Sequence, residues 1–129
     1  MLSFLHSRAH SFRNAFAGWW YVIRTQRNAW IHATATVAVV LLSIWLRITL
    51  RDWAVLILTI AMVWTAEFLN TALEAVVDMA SPQRHPLAKV GKDVGAAAVL
   101  IAAMSAVLIG VLILGPPLWA RLSDLFVAH

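Results

Sequence analysis

Apolar residues recur at intervals of three and four through the first 25 positions, and then gather into three long runs. In the first stretch Phe12, Phe16, Trp19, Trp20 and Ile23 keep the helical spacing, while Arg8, His10, Arg13 and Arg24 supply polar contacts. That pattern predicts an amphipathic helix over residues 3–25, lying on a membrane surface. Trp19-Trp20-Tyr21 suits the headgroup boundary, where amphipathic rings concentrate. The three runs, 28–46, 53–77 and 92–114, each match the ~20 residues that a bilayer crossing requires. Arg47 and Arg51-Asp52-Trp53 make a short first connection. Residues 79–91, punctuated by Pro82 and Pro86, predict a polar loop, and Gly115-Pro116-Pro117 predicts a firm stop to the third run. The expected architecture is all-α, a single membrane domain over residues 1–129 with a surface helix and three transmembrane helices.

One stretch breaks the apolar pattern. Glu67, Asn70, Glu74 and Asp78 fall within about 80° of a helical wheel and form a polar ladder about 16 Å long. Three of the chain's six carboxylates are here, at the end of a membrane-length run. Carboxylates in such a place are costly and mark function.

Composition agrees with the pattern. The chain has 129 residues, of which 62% are hydrophobic and 12% charged, too apolar for an ordinary water-soluble domain. Without cysteine, disulfides and thiol chemistry are excluded. The arginines flank apolar spans rather than lining one basic face, so no nucleic acid is expected as a partner. Arg8, Arg13, Arg24 and Arg27 precede the first span, and Arg84, Lys89 and Lys92 lie between the second and third. The positive-inside rule then puts the N-terminus and the 79–91 loop in the cytoplasm and the C-terminus outside. The third span carries a small-residue stripe, Gly91, Gly95, Ala98, Ala102 and Ser105, suited to close helix packing. Three helices cannot easily hide both this stripe and the ladder, so a homo-oligomer is expected.

Three readings compete for the ladder. It can be interhelical glue, but three carboxylates without matching cations make poor glue. It can be an ion or proton pathway, but nothing polar continues it through the other half of the membrane. It can be a metal-assisted site at the cytoplasmic interface, where carboxylates bind Mg²⁺, Mg²⁺ bridges phosphates, and lysine and arginine offset the remaining charge. Lys92 and Asp93 open the third span at the depth of Asp78, and Arg84, His85 and Lys89 lie between, so cations and carboxylates converge on one rim. No P-loop or glycine-rich kinase loop is present, and any nucleotide site is of another design. His32, inside the first span, reads as a buried hydrogen-bonding histidine, and Trp30, Trp45, Trp53 and Trp119 read as interface anchors.

Glu67-x-x-Asn70-Thr-Ala-x-Glu74-x-x-x-Asp78 followed by His85-Pro-Leu-Ala-Lys89-x-x-Lys92-Asp93-x-x-Ala-Ala-Ala-Val resembles the prokaryotic diacylglycerol kinase family, which includes undecaprenol kinases. The likeness runs from about residue 12 to about residue 115. It implies a homotrimer in the bacterial cytoplasmic membrane, with composite sites shared between protomers. It also implies transfer of the γ-phosphoryl of ATP to a membrane lipid alcohol with Mg²⁺. On this resemblance Glu67 is the general base, with Asn70 beside it, and Glu74 is a metal ligand. Asn14, Glu74, Gln83, Arg84, His85, Lys92 and Asp93 match nucleotide-binding positions. Two positions depart from the pattern. Gln26 stands where the family has a second metal-binding glutamate, and Ser7 where it has a nucleotide-contacting arginine. The acceptor, diacylglycerol or undecaprenol, stays open, with His85-Pro-Leu-Ala-Lys89 closer to the undecaprenol branch. The non-enzyme alternative is an oligomeric membrane protein that binds nucleotide or cation without turnover.

Overall fold

In a computed structural model, the backbone is described for residues 2–81 and 85–127 and the side chains for 10–81 and 85–125. Four helices follow in order: α1 (Leu2–Thr25), α2 (Arg27–Leu46), α3 (Leu50–Ala80) and α4 (Pro86–Val127). The last three are long and apolar enough to cross a membrane.

Local chemistry sets the helix ends. Gln26, extended at φ −99° and ψ 118°, separates α1 from α2. Arg47 turns the chain out of α2 with a left-handed backbone (φ 53°), and its N–H reaches the carbonyl of Ile44. α3 then starts on a capping box: Thr49 Oγ1 accepts from the Asp52 N–H, and Asp52 Oδ2 accepts from the Thr49 N–H. At α4, Pro86 needs no hydrogen-bond acceptor for its nitrogen, and His85 Nδ1 accepts the Leu87 N–H. The helix therefore begins at Pro86, and much of the stretch that reads as loop, Leu87 to Gly91, is its first turns.

The other end of α4 also departs from the sequence reading. Gly115-Pro116-Pro117 does not stop it; the helix runs on to Val127. Two adjacent prolines leave only the carbonyls of Leu112 and Ile113 without their usual donors, a limited loss. Packing offsets it: Ile113, Leu114 and Leu118, on both sides of the prolines, join Leu46 and Leu56 in one apolar cluster. Further along, the Arg121 guanidinium stands 5.5 Å from the Trp45 ring centre on α2.

A single stripe of α3 faces the inside of the bundle: Leu56, Thr59, Val63, Glu67 and Asn70, with Trp64 and Thr71 beside them. It begins apolar and turns polar toward the C-terminal end. Thr59 and Ser43, both buried, satisfy their hydroxyls on carbonyls four residues back. α4 packs most closely on α3, through Gly95, Val99 and Ala102, while Ala98 of the small-residue stripe faces outward. α1 docks by Val22 against Ala29 and Trp64, and by Trp19 against Trp64 and Phe68 at ring separations of 5.0 and 4.9 Å.

Candidate active site in the polar half of the bundle

The buried stripe of α3 carries the ladder into the seam where α2 and α4 meet it. Glu67 is 1% exposed. Its Oε2 lies 3.7 Å from Nε2 of His32 on α2. Two further ties fix α2 against α3. One turn on the apolar side of that pair, Trp64 Nε1 donates to Thr36 Oγ1 (3.2 Å), and this hydroxyl donates to the His32 carbonyl (2.7 Å). Two turns on the polar side, the Gln26 amide donates to Glu74 Oε2 (3.3 Å). The helices are thus antiparallel and in register over the whole site.

Asn70 points to the α4 side. Its amide donates to Glu74 Oε1 (3.3 Å), so both oxygens of Glu74 accept from amides. Asn70 Oδ1 sits where a side chain on Gly95 would begin: a Cβ there would overlap it, and would crowd Leu73 Cδ2 at 3.1 Å. Glycine at this position leaves room for that oxygen. His32 Nε2, Glu67 Oε2 and Asn70 Oδ1 are all buried without a hydrogen-bond partner among the described residues. Three such buried polar atoms in one seam call for partners other than these side chains, such as water, an ion or a ligand group.

Toward the rim, Lys92 Nζ meets Asp78 Oδ1 at 2.5 Å and Lys89 Nζ meets Asp93 Oδ2 at 2.7 Å. These pairs are open to water and screened by it, so they add little to stability and can exchange for a ligand's charge. His85 is exposed and caps α4. Asn14 lies apart, on the exposed side of α1, with its amide against His10 Nδ1 (3.2 Å). Gln83 and Arg84 lie outside the described residues. The structure thus gathers Gln26, Glu67, Asn70 and Glu74 into one cluster and sets Asp78, Lys92 and Asp93 on its rim; Asn14 does not join them. His32, read from the sequence as a structural histidine, belongs to the cluster. Its signal was register: one α2 turn beyond Thr36 faces one α3 turn beyond Trp64.

Among the described residues no three His, Asp or Glu side chains converge as a ready-made metal cage. The donors present nevertheless fit Mg²⁺, which takes one or two carboxylates and completes its shell with water and phosphate oxygens. Glu74 offers the carboxylate, and turning the Gln26 amide about its axis would add a carbonyl oxygen. Neither Glu67 nor Glu74 is paired with lysine or arginine among the described residues, so their charge is available. A cavity of about 500 Å³ reaches from His32 outward, walled mainly by Val39, Leu42, Leu56, Ile60 and Val107, with Thr36 and Thr59 among its few polar residues.

Comparison with known proteins places the chain. Residues 13–114 match the family model for prokaryotic diacylglycerol kinase. The chain is 49% identical over 109 residues to a diacylglycerol kinase of Synechocystis, an alignment covering 84% of this chain and 62% of that protein. It is 39% identical over 108 residues to the undecaprenol kinase of Bacillus subtilis, covering 84% and 88%. Against the diacylglycerol kinase of Escherichia coli it is 37% identical over 89 residues, covering 64% and 73%. With the family model spanning the ladder, the seam and all three membrane-length helices up to residue 114, this chain belongs to the prokaryotic diacylglycerol kinase family.

Proposed function

We propose that this chain is a membrane lipid kinase that transfers the γ-phosphoryl group of ATP to the hydroxyl of a lipid alcohol, diacylglycerol or undecaprenol. The observation that carries this reading is the pair of carboxylates, Glu67 and Glu74, held in one seam with no lysine or arginine on either among the described residues. Glue would need cations there; phosphoryl transfer needs a base and an anionic anchor kept free.

Glu67 takes the hydroxyl proton. Burial in the seam keeps Glu67 away from bulk water, and the lipid hydroxyl enters the seam from the membrane side to meet it. Asn70 holds Glu74 in place and keeps the two carboxylates at fixed spacing. Glu74, with the Gln26 amide oxygen, would hold Mg²⁺, and the ion when bound offsets phosphate charge. Lys92 and Asp93 on the rim, with Asn14 and the Gln83-Arg84-His85 segment, bind the nucleotide. Phosphoryl transfer depends on positioning and charge neutralisation rather than covalent catalysis, so this short list is sufficient. The basic flanks support a site on the cytoplasmic side with the C-terminus outside, and the proposed assembly is a homotrimer.

The test is direct. Purified protein in mixed micelles is given Mg²⁺ and ATP labelled at the γ-phosphate, with diacylglycerol or undecaprenol as acceptor. Label is expected in the lipid fraction with at least one of them. Intact nucleotide binding with no labelled lipid would overturn the reading and leave a binding protein without turnover.

A further inference from the structure

We infer that His32 is the positioning partner of Glu67, holding the carboxylate by one oxygen so that the other is presented to the lipid hydroxyl. The inference rests on the lipid-kinase reading above and adds to it a residue that lies on a different helix from the ladder.

The two atoms that face each other, His32 Nε2 and Glu67 Oε2, are both buried and both lack a hydrogen-bond partner among the described residues. A carboxylate can only accept, so the favourable arrangement puts the proton on Nε2. Their separation of 3.7 Å is longer than a hydrogen bond, and a shift of under an ångström closes it. Catalytic hydrogen bonds are commonly long before substrate arrives and tighten when it binds. The imidazole is held for this task. The Trp64–Thr36 bond fixes the α2–α3 register one turn away, and the Trp64 ring stands edge-on to His32 with centroids 6.3 Å apart.

Histidine suits the place better than lysine or arginine would. A permanent cation would bind the carboxylate as a full ion pair and compete with the incoming proton. A single imidazole N–H orients the carboxylate through one oxygen and leaves the other to do chemistry. In the step itself the alcohol O–H bond breaks and its proton goes to the free oxygen of Glu67. The hydroxyl oxygen's electron pair forms the new bond to the γ-phosphorus. The bond from that phosphorus to the β–γ bridging oxygen breaks, and ADP leaves. His32 keeps its own proton throughout.

The test compares two variants of the full-length protein, His32→Phe and His32→Gln, with the acceptor that wild type phosphorylates. Phe fills the space without a donor; Gln restores a neutral N–H at similar reach. The expected result for His32→Phe is a fall in kcat of about a hundredfold with KM for ATP changed by no more than about twofold, and His32→Gln recovers most of the loss. The thermal midpoint of each variant is measured beside its kinetics. Should His32→Phe fail to fold, His32→Leu takes its place as the variant without a donor. A folded Phe or Leu variant with wild-type kcat overturns the inference, as does a folded Gln variant as slow as the apolar one. A rise in KM for ATP that accounts for the whole loss also overturns it, since that marks a nucleotide or packing role. Wild type that labels no lipid is a different result: it removes the kinase reading, and this inference with it.

Discussion

Gln26 is one of two residues, with Ser7, at which this chain differs in charge from what its resemblance to the family implies. It occupies a position facing Glu74 and donates its amide to Oε2. In the resting seam this is a good arrangement, because the amide satisfies a half-buried carboxylate at no electrostatic cost. For a divalent ion it is a weaker one, since an amide oxygen brings no charge. Gln26→Glu should therefore lower the Mg²⁺ concentration needed for half-maximal rate. It should also make the thermal midpoint more Mg²⁺-dependent than in wild type, because two facing carboxylates repel until an ion lies between them. A midpoint and a Mg²⁺ requirement that both stay at wild-type values would show that Gln26 does not face the metal. Glu74→Ala removes the only charged donor in that pair and should abolish turnover at every Mg²⁺ concentration; substantial residual activity would take Glu74 out of the metal role.

At the scale of the helices, the close fit of α4 on α3 is what keeps Asn70 aimed at Glu74. Gly95 allows that approach because a methyl group in its place would strike Asn70 Oδ1. The cheapest relief in Gly95→Ala is rotation of the Asn70 side chain, which breaks its bond to Glu74. Activity should then fall by more than tenfold, while the stability loss stays near ~1–2 kcal/mol, at the modest end for overpacking because a side-chain end can move. Calorimetry beside kinetics checks both; a large stability loss with full residual activity would contradict it. This contact also shows what the sequence could reveal. The ladder, the three membrane-length helices and the helical first stretch were legible because hydrophobic period and membrane length constrain them strongly. The partners of the ladder were less so. Spacing along α3 puts Glu67 and Glu74 on one face but does not say that His32 on α2 and Gln26 just before it, rather than Lys92 on α4, fill the gap opposite them. That depends on the helix register set by Trp64 and Thr36. Pro116 and Pro117 were misleading for a related reason: proline's local cost is visible in sequence, whereas the Leu46–Leu56–Leu114 cluster that outweighs it is assembled from three helices.

The whole molecule raises a question of reach. α1 packs on the side of α3 that carries Phe68, and α4 on the side that carries Asn70 and Leu73. Positions 68 and 70 are about 160° apart around the helix. Within one chain, α3 therefore stands between Asn14 on α1 and Lys92 and Asp93 on α4, and one nucleotide cannot touch both sets without passing around it. The proposed base and metal ligands have no such difficulty, since Gln26, His32, Glu67 and Glu74 meet within a single chain. Large apolar side chains such as Leu58, Leu100 and Leu112 remain exposed on the helices, so the bundle has ample surface for contact with other copies as well as lipid. In the proposed trimer, a neighbour's α1 supplies Asn14 to a site whose chemistry is otherwise built from one protomer. Mixing inactive or impaired variants tests this. Protomers carrying Glu67→Gln and protomers carrying Glu74→Ala, unfolded together and reassembled, should give no activity above the pure variants, because every mixed site lacks one or the other. Protomers carrying Asn14→Leu mixed with Glu74→Ala should behave differently at limiting ATP. A site with Glu74 from the first and Asn14 from the second is intact, so the mixture should exceed the average of its components. A gain in the first mixture would break the one-chain core, and no gain in the second would place Asn14 outside the nucleotide site or keep it within its own chain's site.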